Sequence, residues 1–315
     1  MIRITLFVLL AALSVAAQTP EIPYAPPDTP LGTGAYKAVM EVDAGLPTHT
    51  VYRPKDMAKA LAALQGKKLP IIAWGNGACV NVGNRFRQFL TEIASHGYLA
   101  IAIGPLGPKE MEAAPQPAAP PAPGAAPVAP NRGAPATMAS QLIDAINWAI
   151  AENSRKGSPY FGKLDTKHIG VMGQSCGGVQ TIKASIDPRV TMSVAWNSGV
   201  VPIPTPAMEN VTKDDLAKLH APIAYFNGDP GDVAHKNAKD DFERINHIPV
   251  LFAWREGMGH SGTYREANGG ELGKVAVAYL NWRLKGDQTA AKMFVGADCG
   301  LCRDKNWHVF KKKID

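Results

Sequence analysis

The chain has 315 residues, of which 46% are hydrophobic and 19% charged, and carries a formal net charge of +6. This composition is too apolar for a disordered chain, and the length suits one large α/β domain or two small ones. Apart from Lys311, Lys312 and Lys313 the positive residues are scattered, with no basic helix or aromatic-interleaved stripe, so nucleic acid is not an expected partner.

The first segment, "MIRITLFVLLAALSVAAQ", sets Arg3 before an apolar run from Ile4 to Leu13 and then small residues. This is the layout of a secretory signal over residues 1–17, cut after Ala17. A membrane anchor would need about 18 apolar residues, more than the run provides. Losing residues 1–17 removes only Arg3 from the charge count of +6, leaving about +5. The mature protein is therefore expected to be secreted or periplasmic, without stable membrane insertion. Residues 18–35 are Pro-rich and are expected to hug the surface or stay loose.

"KAVMEVD" and "THTVYRP" then read as paired edge strands. Apolar runs of strand length follow at 69–75, 98–104, 168–173, 190–196, 222–228 and 248–254, each bounded by Gly, Pro, Asn or Asp. Helical spacing of apolar residues fills 84–96, 138–152, 176–186, 233–246 and 271–285. Buried strands alternating with amphipathic helices predict a parallel sheet covered on both faces, in one α/β domain over 36–315. One stretch breaks the pattern: "AAPQPAAPPAPGAAPVAPNRGAPA" (113–136) is Ala/Pro low complexity and reads as a flexible or polyproline-like insertion.

Open parallel sheets bind ligands at the carboxyl ends of their strands. Just past those ends lie Asn76-Gly77-Ala78-Cys79, "GQSCG", "DPGD" and "REGMGHSG". Together they offer backbone N–H groups, a hydroxyl, carboxylates and an imidazole, the inventory of acyl transfer. "GQSCG" fits G-x-S-x-G, in which a serine occupies a sharp turn between strand and helix, and here an apolar strand precedes it and a helical run follows. Ser175 sits at the required spacing. Cys176 begins the helix, so its N–H, not its thiol, faces the reacting oxygen. Among eight histidines, His260 in "GMGHSG" is the candidate base, because flanking glycines suit a loop presenting one side chain in a tight place. His49, His220, His235, His247 and His308 read as surface or capping residues. The orienting acid should fall between serine and histidine in the chain, which leaves Asp229 and Asp232 open. Asp229 precedes a proline in a turn, and Asp232 could equally cap a helix at 233–246.

The four cysteines are Cys79, Cys176, Cys299 and Cys302. In an exported chain they invite disulfides, and "CGLC" reads as a small disulfide loop pinning the C-terminal tail in preference to a zinc half-site or redox motif.

"AWGNGAC", "ASHGYLAIA", "GQSCGG", "NGDPGDVAH" and "GMGHSG", which span most of residues 69–285 in order, resemble the α/β-hydrolase superfamily. They look most like secreted esterases of the dienelactone-hydrolase and cutinase-like polyester-hydrolase group. The resemblance implies an α/β-hydrolase fold, a mostly parallel central sheet with helices on both faces, and carboxylesterase-type hydrolysis of a small-molecule or polymer ester with no metal or cofactor. It selects Asp232, four residues after Gly228, as the acid, and it implies an oxyanion hole from the N–H groups of Cys176 and Ala78, with Gly77 as fallback. If Ala78 and Cys176 donate to one oxygen their nitrogens lie within about 5–6 Å, which brings Cys79 near Cys176. Either a disulfide or two buried thiols would fit there. Two other functions remain open on the residues alone: a non-catalytic binding protein on the same fold, and an amidase or peptidase.

Overall fold

The computed structural model describes residues 25–64, 67–112 and 135–314. The segment expected to be a signal, 1–17, and the Ala/Pro stretch up to residue 134 lie outside the described residues.

The apolar runs form nine strands in one sheet. They are β1 (Ala38–Glu41), β2 (His49–Pro54), β3 (Leu69–Gly75), β4 (Leu99–Ile103), β5 (Leu164–Gln174), β6 (Met192–Trp196), β7 (Ile223–Gly228), β8 (Val250–Arg255) and β9 (Trp307–Lys312). Their spatial order is β1-β2-β4-β3-β5-β6-β7-β8-β9. Pairing is parallel from β4 through β8 and antiparallel for β1–β2, β2–β4 and β8–β9. The helices are α1 (Met57–Ala63), α2 (Arg87–Ser95), α3 (Ala139–Ser154), α4 (Cys176–Ala184), α5 (His235–Arg244), α6 (Gly270–Lys285) and the short α7 (Gln288–Ala291) and α8 (Gly300–Arg303). No helix among the described residues is long and apolar enough to cross a membrane.

Alternation along each central strand divides the core in two. Ile72, Trp74, Ala100, Ala102, Val194, Trp196, Ala224 and Phe226 face one side, where residues of α2 and α6 cover them. Ile71, Ala73, Leu99 and Ile101 face the other, under α3, and Ala195, Ile223 and Tyr225 continue that side beneath α4 and α5. Trp74 and Trp196, which end strands beside the candidate site, are fully buried core residues. They form an aromatic cluster with Phe86, Phe89 and Tyr264 at centroid distances of 5.2 to 6.3 Å, mostly edge to face. Burying each such side chain is worth about 1.5–3 kcal/mol, and this cluster is the floor beneath the strand ends.

Several elements differ from the sequence reading: the short helices α1, α7 and α8 were not expected, and two strands depart from it. β5 begins at Leu164, four residues earlier than expected, with a register shift against β3 between Pro70 and Ile71. β9 was not anticipated, because "WHVFKK" carries no apolar run of strand length and ends in lysines. Its lysines are not merely solubilising: Lys312 Nζ donates to the carbonyls of Phe242 at 2.7 Å, Glu243 at 3.0 Å and Ile245 at 3.3 Å. It thereby satisfies carbonyl groups at the end of α5, where a cation is favoured by the helix dipole.

A buried carboxylate ties α5 to the loop after β6. Asp241 is fully buried and accepts from Val200 N at 2.8 Å and from Lys213 Nζ at 2.5 Å. Burial pushes its carboxyl up to about 6, against the lowering pull of Lys213 and the Val200 N–H. The unfolded value is about 3.9, so between roughly pH 4 and 6 the folded state holds the proton that the unfolded state has lost. Stability contributed by this group is therefore complete below pH 4 and declines as the pH rises through 6, by at most about 3 kcal/mol. Asp241→Asn should remove that decline. Urea unfolding across this range should show the variant gaining on wild type as pH increases, above a constant offset from the altered hydrogen bonds. Parallel pH profiles would show that Asp241 does not titrate in this window.

Candidate active site

The loops after β3, β5, β6, β7 and β8 meet at the carboxyl edge of the sheet, and the side chains singled out in the sequence come together there. Ser175 links β5 directly to α4 and has φ 55° and ψ −117°, a conformation that costs an L-residue energy and projects its side chain from the turn. The turn closes only because two glycines flank it. A Cβ on Gly177 would stand 2.1 Å from the Gly75 carbonyl oxygen, and one on Gly173 would stand 2.2 Å from the Gly177 oxygen. Ser175 N donates to Trp196 O at 2.9 Å, and the Ser198 hydroxyl donates to Ser175 O at 2.7 Å, so the neighbouring β6 loop holds the elbow.

His260 reaches this serine from the loop after β8. Its Nε2 lies 2.8 Å from Ser175 Oγ, and its Nδ1 lies 2.7 Å from Asp232 Oδ1. Facing a carboxylate, Nδ1 carries the proton and donates it, which leaves the Nε2 lone pair to accept from the serine hydroxyl. Gln174 Nε2 donates to His260 O at 3.0 Å and ties the histidine loop back to the elbow.

Asp232 is the partner of the histidine, and its side chain is inaccessible to solvent. Its Oδ2 accepts from Asn197 Nδ2 at 2.8 Å and Gly228 N at 3.0 Å, and its Oδ1 also accepts from Ala234 N at 2.9 Å. Burial alone would raise its pKa, but the His260 hydrogen bond, the Ala234 N–H and Asn197 together hold it below the usual carboxylate range. Asp232 does not cap the following helix; α5 starts at His235 after Ala234. Asp229 has a different task, bracing two turns by accepting from Gly231 N at 2.8 Å and Gly257 N at 3.1 Å.

Cys79 and Cys176 are disulfide-bonded with Cα atoms 5.3 Å apart, joining the β3 loop to the first residue of α4. Cys299 and Cys302 form the second disulfide. Ala78 and Cys79 have φ of 54° and 49°, a left-handed stretch that needs support. The disulfide supplies part of it. The Thr137 hydroxyl donates to Cys79 O at 3.1 Å, and Gln180 Nε2 donates to Thr137 O at 2.6 Å. Among the described residues the N–H groups of Ala78 and Cys176 donate to no protein acceptor. For Cys176 this follows from its place in the first helical turn.

Other roles at the site were not read from the sequence, which offers Trp74, Trp196 and Asn197, at or just past strand ends, only as candidate pocket-lining residues. Asn197, at φ 40°, holds Asp232 and also donates to Gly259 O at 3.3 Å, while the Tyr264 hydroxyl donates to Asn197 Oδ1. The signal for Asn197 was its place just past the end of β6, beside the strand that carries the serine. Nothing in the sequence marked Tyr264, whose ring belongs to the aromatic cluster. Two histidines differ from the sequence reading as well. His49 is fully buried, with Nε2 2.9 Å from Gln141 O, and burial lowers its pKa. His235 is buried, with Nδ1 donating to Gly228 O at 3.0 Å. Among the described residues there is no group of three or more His, Cys, Asp or Glu side chains able to hold a metal ion.

The arrangement can transfer a proton from a serine hydroxyl to an imidazole anchored by a buried carboxylate, beside unpaired backbone donors. No protein-family model matches the chain, and no curated protein matches it in sequence.

Proposed function

We propose that the protein is a serine hydrolase of carboxylic esters, with an α/β-hydrolase fold and an acyl-enzyme intermediate. One observation carries this reading: an unbroken hydrogen-bonded path from Asp232 through His260 to Ser175, with the serine on a strained strand-to-helix turn. The mostly parallel sheet and the position of all three residues at its carboxyl edge support it.

In this mechanism Ser175 Oγ attacks the acyl carbon as its proton passes to His260 Nε2. Asp232 keeps the ring oriented and stabilises the imidazolium. The tetrahedral oxyanion takes hydrogen bonds from the N–H groups of Ala78 and Cys176, each such donor being worth about 10²–10³ in turnover. Collapse returns the proton to the departing alcohol, and water, activated by the same imidazole, releases the acid. The two disulfides fit an oxidising compartment, so the protein is read as secreted or periplasmic.

The test is covalent labelling by a fluorophosphonate together with hydrolysis of p-nitrophenyl acetate. Wild-type protein should be labelled once and turn over the ester, and Ser175→Ala should lose the label and about 10⁴–10⁶ of kcat. An unlabelled wild type would make this a binding protein on the same scaffold. Faster cleavage of a peptide anilide than of the ester would make it an amidase.

A further inference from the structure

At the opposite end of the sheet, β3 and β5 help frame a cleft. Lys67 and Lys68 stand just before β3, Asp165, Lys167 and His168 lie in the first half of β5, and Arg283 and Lys285 end α6; together they line a cleft of about 680 Å³. That volume is in the range of small-molecule sites. Lys167 precedes Ser175 by eight residues of extended chain, roughly 26 Å at 3.3 Å per residue, so the cleft is remote from the candidate active site.

The charge in this cleft is unbalanced. Five lysine and arginine side chains line it against one carboxylate, Asp165. That carboxylate is already engaged, with Oδ2 2.7 Å from His168 Nδ1 and Oδ1 accepting from Lys167 N at 3.1 Å. Nearby Asp287 is occupied by the N–H groups of Thr289 and Ala290 at 2.8 and 3.1 Å. Among the described residues no carboxylate forms an ion pair with Lys67, Lys68, Lys167, Arg283 or Lys285. The C-terminal dipole of α6 supplies about half a negative charge, which favours Arg283 and Lys285 at that end but leaves most of the positive charge, and all three lysines beside β3 and in β5, unanswered. Lys285 is tied down, with Nζ donating to His96 O at 2.5 Å and lying 3.8 Å from the Tyr98 ring centroid. Burial lowers its pKa to about 8, and Lys67 adds to the lowering while Asp287 opposes it. Arg283 Cζ lies 4.7 Å from the Trp282 ring centroid.

We propose that this cleft binds a small polyanion carrying two or more phosphate or sulfate groups. Cations converging from three separate elements on one concave wall repel each other when empty, and a multiply charged oxyanion relieves that repulsion while accepting from the lysine and arginine donors. A single monovalent anion would answer only part of the charge.

The probe is inorganic pyrophosphate, titrated calorimetrically into the full mature chain at pH 7, with inorganic phosphate, sulfate and chloride compared at one fixed ionic strength. Saturable binding of one pyrophosphate per chain is expected, tighter than phosphate or sulfate and not reproduced by chloride; the better of the two competitors identifies the natural head group. Lys67→Gln/Lys68→Gln/Lys167→Gln changes three exposed side chains, so its circular dichroism should match wild type, and its affinity should fall at least tenfold. Absence of saturable binding, displacement by chloride at equal ionic strength, or wild-type affinity in the triple variant would overturn the proposal. None of these outcomes depends on ester hydrolysis.

Discussion

Asp232→Asn is expected to slow ester turnover by about 10⁴-fold while leaving KM and the folded state close to wild type. Asparagine fills the same space, but its amide presents N–H toward a ring nitrogen that now finds a carboxylate oxygen at 2.7 Å. The favoured imidazole tautomer reverses, Nε2 becomes protonated, and no lone pair remains for the Ser175 hydroxyl. The same NH2 also faces the Ala234 N–H, which loses its acceptor at 2.9 Å, while Asn197 Nδ2 and Gly228 N keep the remaining oxygen. Asp229→Asn is the matched control. Its carboxylate touches only backbone N–H groups at Gly231 and Gly257, and a loss below tenfold is expected. Steady-state kcat and KM for both variants, with thermal melts to verify folding, decide the matter. A mild effect at 232 and a severe one at 229 would transfer the orienting role to the other acid.

Cutting the bond between Cys79 and Cys176 should damage both stability and turnover. The cysteines are 97 residues apart in sequence, and constraining a loop of that size in the unfolded chain is worth typically 2–4 kcal/mol. Cys79→Ser/Cys176→Ser should therefore lower the unfolding free energy by about that amount in urea. The bridge also joins the two peptide segments carrying the Ala78 and Cys176 N–H groups, and Ala78 and Cys79 hold left-handed backbone angles. Loosening that segment should misplace a donor and reduce kcat by about 10²-fold, more than it changes KM. Thiol titration of unfolded, non-reduced wild-type protein should find no free thiols. Wild-type kcat in the double variant would show that the bridge is not needed to hold the donors.

The sheet was legible because each central strand is an uninterrupted apolar run, the pattern that burial on both faces demands. Ser175 and His260 were legible because they belong to Gly-flanked loops immediately following such runs, whereas the residues alone left Asp229 and Asp232 open and only the resemblance selected Asp232. β9 was hidden by its alternating lysines: an edge strand meets solvent and needs no apolar run, and lysine is well suited to that place. The roles of Asn197, Gln174 and Tyr264 were hidden for another reason. Each acts through a partner remote in sequence, 35, 86 and 67 residues away respectively. The basic cleft is the extreme case. Its cations are dispersed from Lys67 to Lys285, and only the pairing of β3 with β5 and the placing of the end of α6 against them bring them to one wall.

The Ala/Pro stretch leaves and re-enters the domain at well-anchored points. On the outgoing side, the Glu112 carboxylate is gripped by Asn84 Nδ2 at 2.9 Å and Arg87 Nη1 at 3.3 Å. On the incoming side, Thr137 is pinned between Cys79 and Gln180. Both moorings use side chains outside residues 113–136, so replacing that stretch leaves each of these hydrogen bonds its donor and its acceptor. The protein thus possesses a site where foreign sequence could be inserted, provided Glu112 and Thr137 are kept.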